Sequence, residues 1–189
     1  MLDKSVPYFD FFMLRKKGSA IPVYDLPGVY KFSLYKPGDE ISWANIETSV
    51  LEFDSEPQAL EYFQNNFLPY LSEPEKRCLF IETDSGEKIA TSTAAHCCPK
   101  HCYPFIHWVA VKPEYQGLGL GKALISKITR MMLDLDGDMD FYLHTQTWSH
   151  KAVKIYEKFG YEIIKDKKIC HCTANSGDYE QAVSILKNL

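Results

Sequence analysis

The chain has 189 residues, 46% of them apolar and 24% charged, with 21 basic against 25 acidic side chains. That is enough for one sizeable core, or at most two small ones, and it excludes a disordered or low-complexity protein. A formal charge of -4 argues against a nucleic-acid partner, and no stretch approaches the roughly 20 apolar residues that a membrane helix needs. The first twenty residues break their apolar run with Asp10 and Arg15-Lys16-Lys17, which is not the order of a secretory signal. A cytoplasmic location is expected.

In chain order, Val29 to Tyr35 has the β-branched and aromatic bias of a strand, ended by Pro37-Gly38. Asp39 is placed to cap a short helix reaching about Glu47. Ser55-Glu56-Pro57-Gln58 fits a capping box, and Leu60, Phe63 and Phe67 then recur at helical spacing until Pro69. A hairpin is predicted from Arg77 to Thr83 and Glu87 to Ala95, joined by Asp84-Ser85-Gly86. Phe105 to Val111 is a further strand, and a glycine-rich turn leads into a helix from Lys122 to about Leu135 with Leu124, Ile128, Met131 and Leu135 on one face. Phe141 to Thr145 is a strand, Lys151 to Phe159 a helix stopped by Gly160, and Tyr161 to Ile164 is expected to pair with Lys168 to Cys172. An amphipathic helix after Asp178 closes the chain. No linker or internal repeat interrupts this order, so one mixed α/β domain spanning residues 1–189 is expected.

Six cysteines, without an export signal, read as reduced thiols rather than a disulfide framework. They crowd into His96-Cys97-Cys98, His101-Cys102 and Cys170-His171-Cys172, which are soft-metal ligand types. Neither cluster has two C-x2-C knuckles, and free cysteine is a commonly buried residue, so no metal is expected.

The segment Val109-Ala110-Val111-Lys112-Pro113-Glu114-Tyr115-Gln116-Gly117-Leu118-Gly119-Leu120-Gly121-Lys122 runs strand, turn, glycines, helix. Alternating glycines let the backbone turn tightly and approach a ligand. The free N–H groups at the following helix start favour an anion, so a phosphate-binding turn follows from the physics. A P-loop would need Ser or Thr after the lysine, where Ala123 stands, and the dinucleotide fingerprint needs a different glycine spacing.

Gln116-Gly117-Leu118-Gly119-Leu120-Gly121 resembles the Q/R-x-x-G-x-G/A signature of the Gcn5-related N-acetyltransferases, the GNAT superfamily. Ala152-x-x-x-Tyr156-x-x-x-Gly160-Tyr161 is similar to the family's A-x-x-L-Y-x-x-x-G-F segment, and the element order matches over about residues 29–175. The resemblance implies a central mixed sheet flanked by helices, with residues 1–28 as an N-terminal extension and about 178–189 as a C-terminal helix. It also implies acetyl-CoA held between two splayed strands, 105–111 and 141–147. The pyrophosphate would lie on the amides of Gln116, Gly117, Leu118, Gly119, Leu120, Gly121 and Lys122. The pantetheine would pair with the main chain across Val109, Ala110 and Val111.

In such an enzyme an amine attacks the thioester directly, so the cysteines are not needed as nucleophiles. Tyr156 matches the family's general-acid position, and the backbone N–H of Val109 or a neighbour would hold the oxyanion. For the base, His107 lies on the strand beside the thioester, with His144 or a water relay to a carboxylate such as Glu82 as alternatives. Strand alternation places His107 and Val109 on one face. Many members carry Asn where this chain has Ser149, which still offers one hydrogen bond to the cofactor. The expected activity is acetyl transfer to a primary amine, on a small molecule or a peptide. A non-catalytic acyl-CoA-binding or metal-sensing module on the same fold is the alternative. The aromatics Tyr8, Phe9, Phe11, Phe12 and Trp43 are read either as walls for an apolar or aromatic acceptor or as core, and oligomeric state is open, a homodimer included.

Overall fold

The segment Asp10–Arg15, expected to belong to an N-terminal extension, is a strand in the interior of the sheet. The computed structural model describes the chain except Met1, Ser72, residues 98–102, Lys167, Cys170, His171 and residues 175–178. Its strands are β1 (Asp10–Arg15), β2 (Tyr30–Leu34), β3 (Cys78–Thr83), β4 (Lys88–His96), β5 (Pro104–Val111), β6 (Phe141–Gln146), β7 (Tyr161–Ile164), β8 (Lys168–Ile169) and β9 (Cys172–Thr173). The first seven form one sheet in the order β2-β3-β4-β5-β6-β1-β7, antiparallel except for the parallel pair β5–β6.

β1 lies between β6 and β7, and both of its faces are covered: Phe11 and Met13 join the main core while Phe12 joins a second cluster with Phe105 and Ile169. A strand buried on both faces reads as a continuous apolar run rather than an alternating one. β7 therefore pairs with β1, not with the residues that follow it, which form the separate hairpin β8–β9.

The helices are α1 (Glu40–Ser49), α2 (Glu56–Tyr62), α3 (Pro74–Arg77), α4 (Leu120–Asp136), α5 (His150–Lys158) and α6 (Tyr179–Lys187). Ser55 caps α2 by accepting from the Gln58 N–H, with Pro57 in the first turn. α1, α2 and the π-helical turn Phe63–Phe67 that continues α2 pack Trp43, Ile46, Ala59 and Phe63 against Phe80 and Ala110 on one side of the sheet. On the other side α4 buries Leu120, Leu124, Ile125, Ile128 and Met132. The buried stripe of α4 starts a turn earlier than the sequence pattern suggests, and Leu135 is exposed. Among the described residues no helix is long and apolar enough to cross a membrane.

A buried ion cluster fixes the end of α4 to the sheet. The Arg77 guanidinium donates two hydrogen bonds to Asp136, at 2.7 and 3.1 Å, and His96 Nε2 lies 3.0 Å from the same carboxylate. Burial alone would raise the Asp136 pKa, but the His96 and Arg77 hydrogen bonds bring it down to about 2 from 3.8. A carboxylate with a depressed folded pKa adds stability that is present above its unfolded pKa and lost as pH falls toward the folded one. Thermal melts should therefore lose about 2 kcal/mol of stability from this group between pH 3.8 and about 2. Arg77→Ala, which strands a buried carboxylate, should cost about 3–5 kcal/mol in a denaturant titration at neutral pH. A loss below 1 kcal/mol would show the cluster to be energetically neutral.

Candidate active site

The parallel pairing of β5 and β6 is confined to Phe105 opposite Tyr142 and Ile106 opposite Leu143. Beyond it the strands diverge, and the cleft between them is what the splayed-strand expectation described. β5 is also irregular. Its register with β4 passes from Thr93–His107 to Thr91–Ala110, so β5 has one residue more than β4 across this interval. Trp108 has φ 52, a left-handed conformation unusual for a bulky side chain. The bulge shifts the alternation: Ile106 and Val109 both pack toward the α4 core, while His107 stacks on Phe105 with ring centroids 5.4 Å apart. The expectation that His107 and Val109 share a face is overturned by this one inserted residue.

At the end of β5 the chain turns through Gly117 (φ 82) and Gly119 (φ 84) into the first turn of α4. Both glycines hold left-handed backbone that a side chain would strain. Gly121 has a different reason: a Cβ there would stand 3.4 Å from Ile155 Cδ1, at the α4–α5 contact. The Gln116 side chain donates to the Val111 carbonyl at 2.8 Å, tying the turn to the strand end. The Lys122 and Ala123 N–H groups already donate to the Gly119 carbonyl, whereas Leu120 and Gly121, the first two residues of α4, line a cleft.

Two clefts open on this region. The first is lined by Val109, Ala110, Val111, Gln116, Gly117, Leu120 and Gly121 on one side and by Ser149, Lys151, Ala152, Ile155 and Tyr156 on the other. The second lies across the sheet end, between Glu47, Tyr62, Trp108, His107, His144, Trp148 and Tyr8. Leu2, Glu52, Val109, Ser149, Ala152 and Tyr156 line both, so the two clefts meet along a seam that includes Tyr156.

The sequence profile of the acetyltransferase (GNAT) family matches residues 41–161. The chain belongs to the GNAT family. Thialysine N-epsilon-acetyltransferase of Sus scrofa is 31% identical over 74 residues, 39% of this chain and 43% of that protein. GCN5-related N-acetyltransferase 2, chloroplastic, of Arabidopsis thaliana is 39% identical over 64 residues, 33% of this chain and 23% of that one. The chain thus aligns with less than half the length of these relatives. A GCN5-related N-acetyltransferase structure from Sphaerobacter thermophilus superimposes with a TM-score of 0.63 at 21% identity, over 83% of this chain and 49% of that one, a likeness of fold.

Within this GNAT fold, Tyr156 sits on α5 and is 6% exposed, with its ring edge-on to Tyr161. Burial raises its pKa, and the charges of Glu52 and Glu47 raise it further, so the phenol stays protonated at neutral pH. Burial, then the neighbouring His144, lowers the His107 pKa to about 4. His144 Nε2 is 3.0 Å from Asp10 Oδ2, and its ring lies against Phe12. Glu82, named as the end of a water relay, lies outside both clefts and is engaged by Lys31, Lys88 and Ser33. Leu118, Gly119 and Lys122 do not line the first cleft themselves, although Gly117, Leu120 and Gly121 beside them do, and the Lys122 ammonium is 5.5 Å from the centre of the Tyr24 ring. Trp148 both lines the second cleft and holds the N-terminal segment, donating from Nε1 to the Val6 carbonyl at 2.8 Å. Of the aromatics read as acceptor walls or as core, Tyr8 lines the second cleft, whereas Phe11, Phe12 and Trp43 are core and Phe9 packs on the core.

Glu47 is the residue that the sequence did not mark. It stands at the last turn of α1, 1% exposed, in the wall of the second cleft, and its Oε1 has no hydrogen-bond partner. Burial drives its pKa well above 4.5, and the charge of Glu52 adds to this. The only sequence signal was a carboxylate on the apolar side of a helix whose other inward residues are Trp43, Ala44 and Ile46. Among the described residues no cluster of three or more His, Cys, Asp or Glu is placed to hold a metal ion. Cys98, His101, Cys102, Cys170 and His171 lie outside the described residues.

Proposed function

We propose that this protein transfers an acetyl group from acetyl-CoA to the primary amine of a small cationic acceptor. The meeting of the two clefts along the seam that includes Tyr156 carries this reading, because a thioester in one cleft and an amine in the other would come together there. Acetyl-CoA would lie along β5 with its pyrophosphate on the amides of residues 117–121, since the Gln116 and Lys122 N–H groups, expected to join them, donate to the Pro113 and Gly119 carbonyls. Lys151, on the opposite wall, adds a positive charge. The acceptor would occupy the second cleft, whose aromatic walls and buried carboxylate favour an ammonium.

In the reaction the amine nitrogen bonds to the thioester carbonyl carbon, and the Val109 N–H, in the bulge, would hold the resulting oxyanion. The C–S bond then breaks, the departing sulfur takes the Tyr156 phenolic proton, and the second proton shed by the amine nitrogen as it becomes the amide returns the phenolate to a phenol. Before attack the ammonium must lose a proton. Glu47 is the proton acceptor in this reading: a carboxylate whose pKa is raised is a better base than an ordinary one. With a pKa near 4, His107 is a weaker acceptor and is assigned to the cleft wall.

The cofactor half of this proposal is tested at Gly119. A Cβ there meets nothing within 4 Å, but the left-handed backbone strains any side chain, so Gly119→Ala is the control that carries the same backbone strain as Gly119→Asp without the charge. The introduced carboxylate would sit against the pyrophosphate, and CoA should bind roughly tenfold or more weakly than to the alanine control in calorimetry. Unchanged affinity would place the cofactor elsewhere.

A further inference from the structure

The β8–β9 hairpin does not pair with the main sheet. What holds it is a small apolar cluster of Phe12, Phe105, Ile169 and Ala174, with Tyr103, Tyr142 and Ile164 packed around it. At the margin of that cluster Cys97, just past the end of β4, and Cys172, at the start of β9, bring their sulfurs within 2.6 Å. The same Cys97 thiol donates to the Ile169 carbonyl of the hairpin at 2.9 Å. The two residues are 75 positions apart in the chain, so the fold alone brings these two cysteines together. A covalent sulfur–sulfur bond is about 2.05 Å, so little movement separates this contact from a bond.

We infer that Cys97 and Cys172 form a reversible disulfide that fastens the β8–β9 hairpin to the end of β4. With a small-molecule disulfide such as oxidised glutathione as oxidant, one thiolate of the pair attacks a glutathione sulfur. That step makes a mixed disulfide and releases one glutathione thiolate. The second cysteine then attacks the protein sulfur of the mixed disulfide and releases the other. Two protein thiols become one disulfide, and one glutathione disulfide becomes two thiols.

The cluster reaches the proposed acceptor cleft through Phe105, on which the cleft residue His107 stacks. Tyr62, one wall of that cleft, has its pKa raised by burial and then by the nearby Cys172. Cys78 does not compete, because burial pushes its thiol up to about 12. The pairing rests on the sulfur contact and is independent of the acetyl-transfer reading.

The test uses the full chain equilibrated with oxidised glutathione, blocked by alkylation and mapped by mass spectrometry without reduction. The expected result is a peptide pair joined through Cys97 and Cys172, absent from Cys97→Ser and from Cys172→Ser. Because the link closes a long loop, the oxidised protein should melt roughly 5–15 °C above the reduced one, and neither variant should show that rise. Alkylation of both thiols after oxidation, or linkage of Cys97 chiefly to Cys98, Cys102 or Cys170, would overturn the pairing. So would one tightly held zinc per purified chain that protects Cys97 and Cys172 from alkylation. A linked pair with an unchanged melting temperature would overturn the fastening.

Discussion

Tyr156→Phe is expected to lower turnover by about 10²–10⁴-fold, the usual worth of a general acid. The substitution keeps the ring and its packing against Tyr161 and removes only the proton donor. CoA affinity should change little, since the ring still lines the cofactor cleft. A tyrosine with a purely structural role would behave in the opposite way, losing melting temperature while turning over at nearly the native rate. Rate and melting temperature of this one variant separate the two cases.

Glu47→Gln should have an effect of similar size on turnover, about 10²–10⁴-fold, with a contrary effect on stability. Its carboxyl has a folded pKa above its unfolded one, so the native state loses stability as pH rises from about 4.5 through the raised value. An isosteric amide removes that loss, and the variant should melt at or above the temperature of the native protein at neutral pH. The rate profile gives a second check. Native turnover should fall as pH drops through the Glu47 pKa, and the variant's residual rate should lack that limb. A variant that melts lower but turns over normally would make Glu47 a structural residue.

The elements that carried their own local signals were legible in the sequence. Ser55 capped a helix, Gly86 turned a hairpin, and Gly117 and Gly119 took left-handed conformations in the turn that their spacing marked. β1 was not legible, because a strand covered on both faces has no period-two pattern and its partners lie more than a hundred residues away. The same strand captured β7, which local pairing would have given to β8. At the site, the glycine turn could be located from spacing, and Tyr156 from the resemblance to the family's A-x-x-L-Y-x-x-x-G-F segment. The bulge at Trp108 could not, since one extra residue in β5 is defined only against β4. Glu47 was hidden for a related reason: its importance comes from Trp108, Tyr62 and Tyr156, which reach the same cleft from three other parts of the chain.

The most direct test of acetyl transfer is a panel of primary amines, cationic and neutral, incubated with the protein and acetyl-CoA. Free thiol and product mass would both be recorded. The account predicts amine-dependent thiol release, a product heavier by one acetyl group, and a preference for acceptors carrying positive charge. Tight CoA binding with no thiol release for any amine would contradict it and leave an acyl-CoA-binding protein on an acetyltransferase fold.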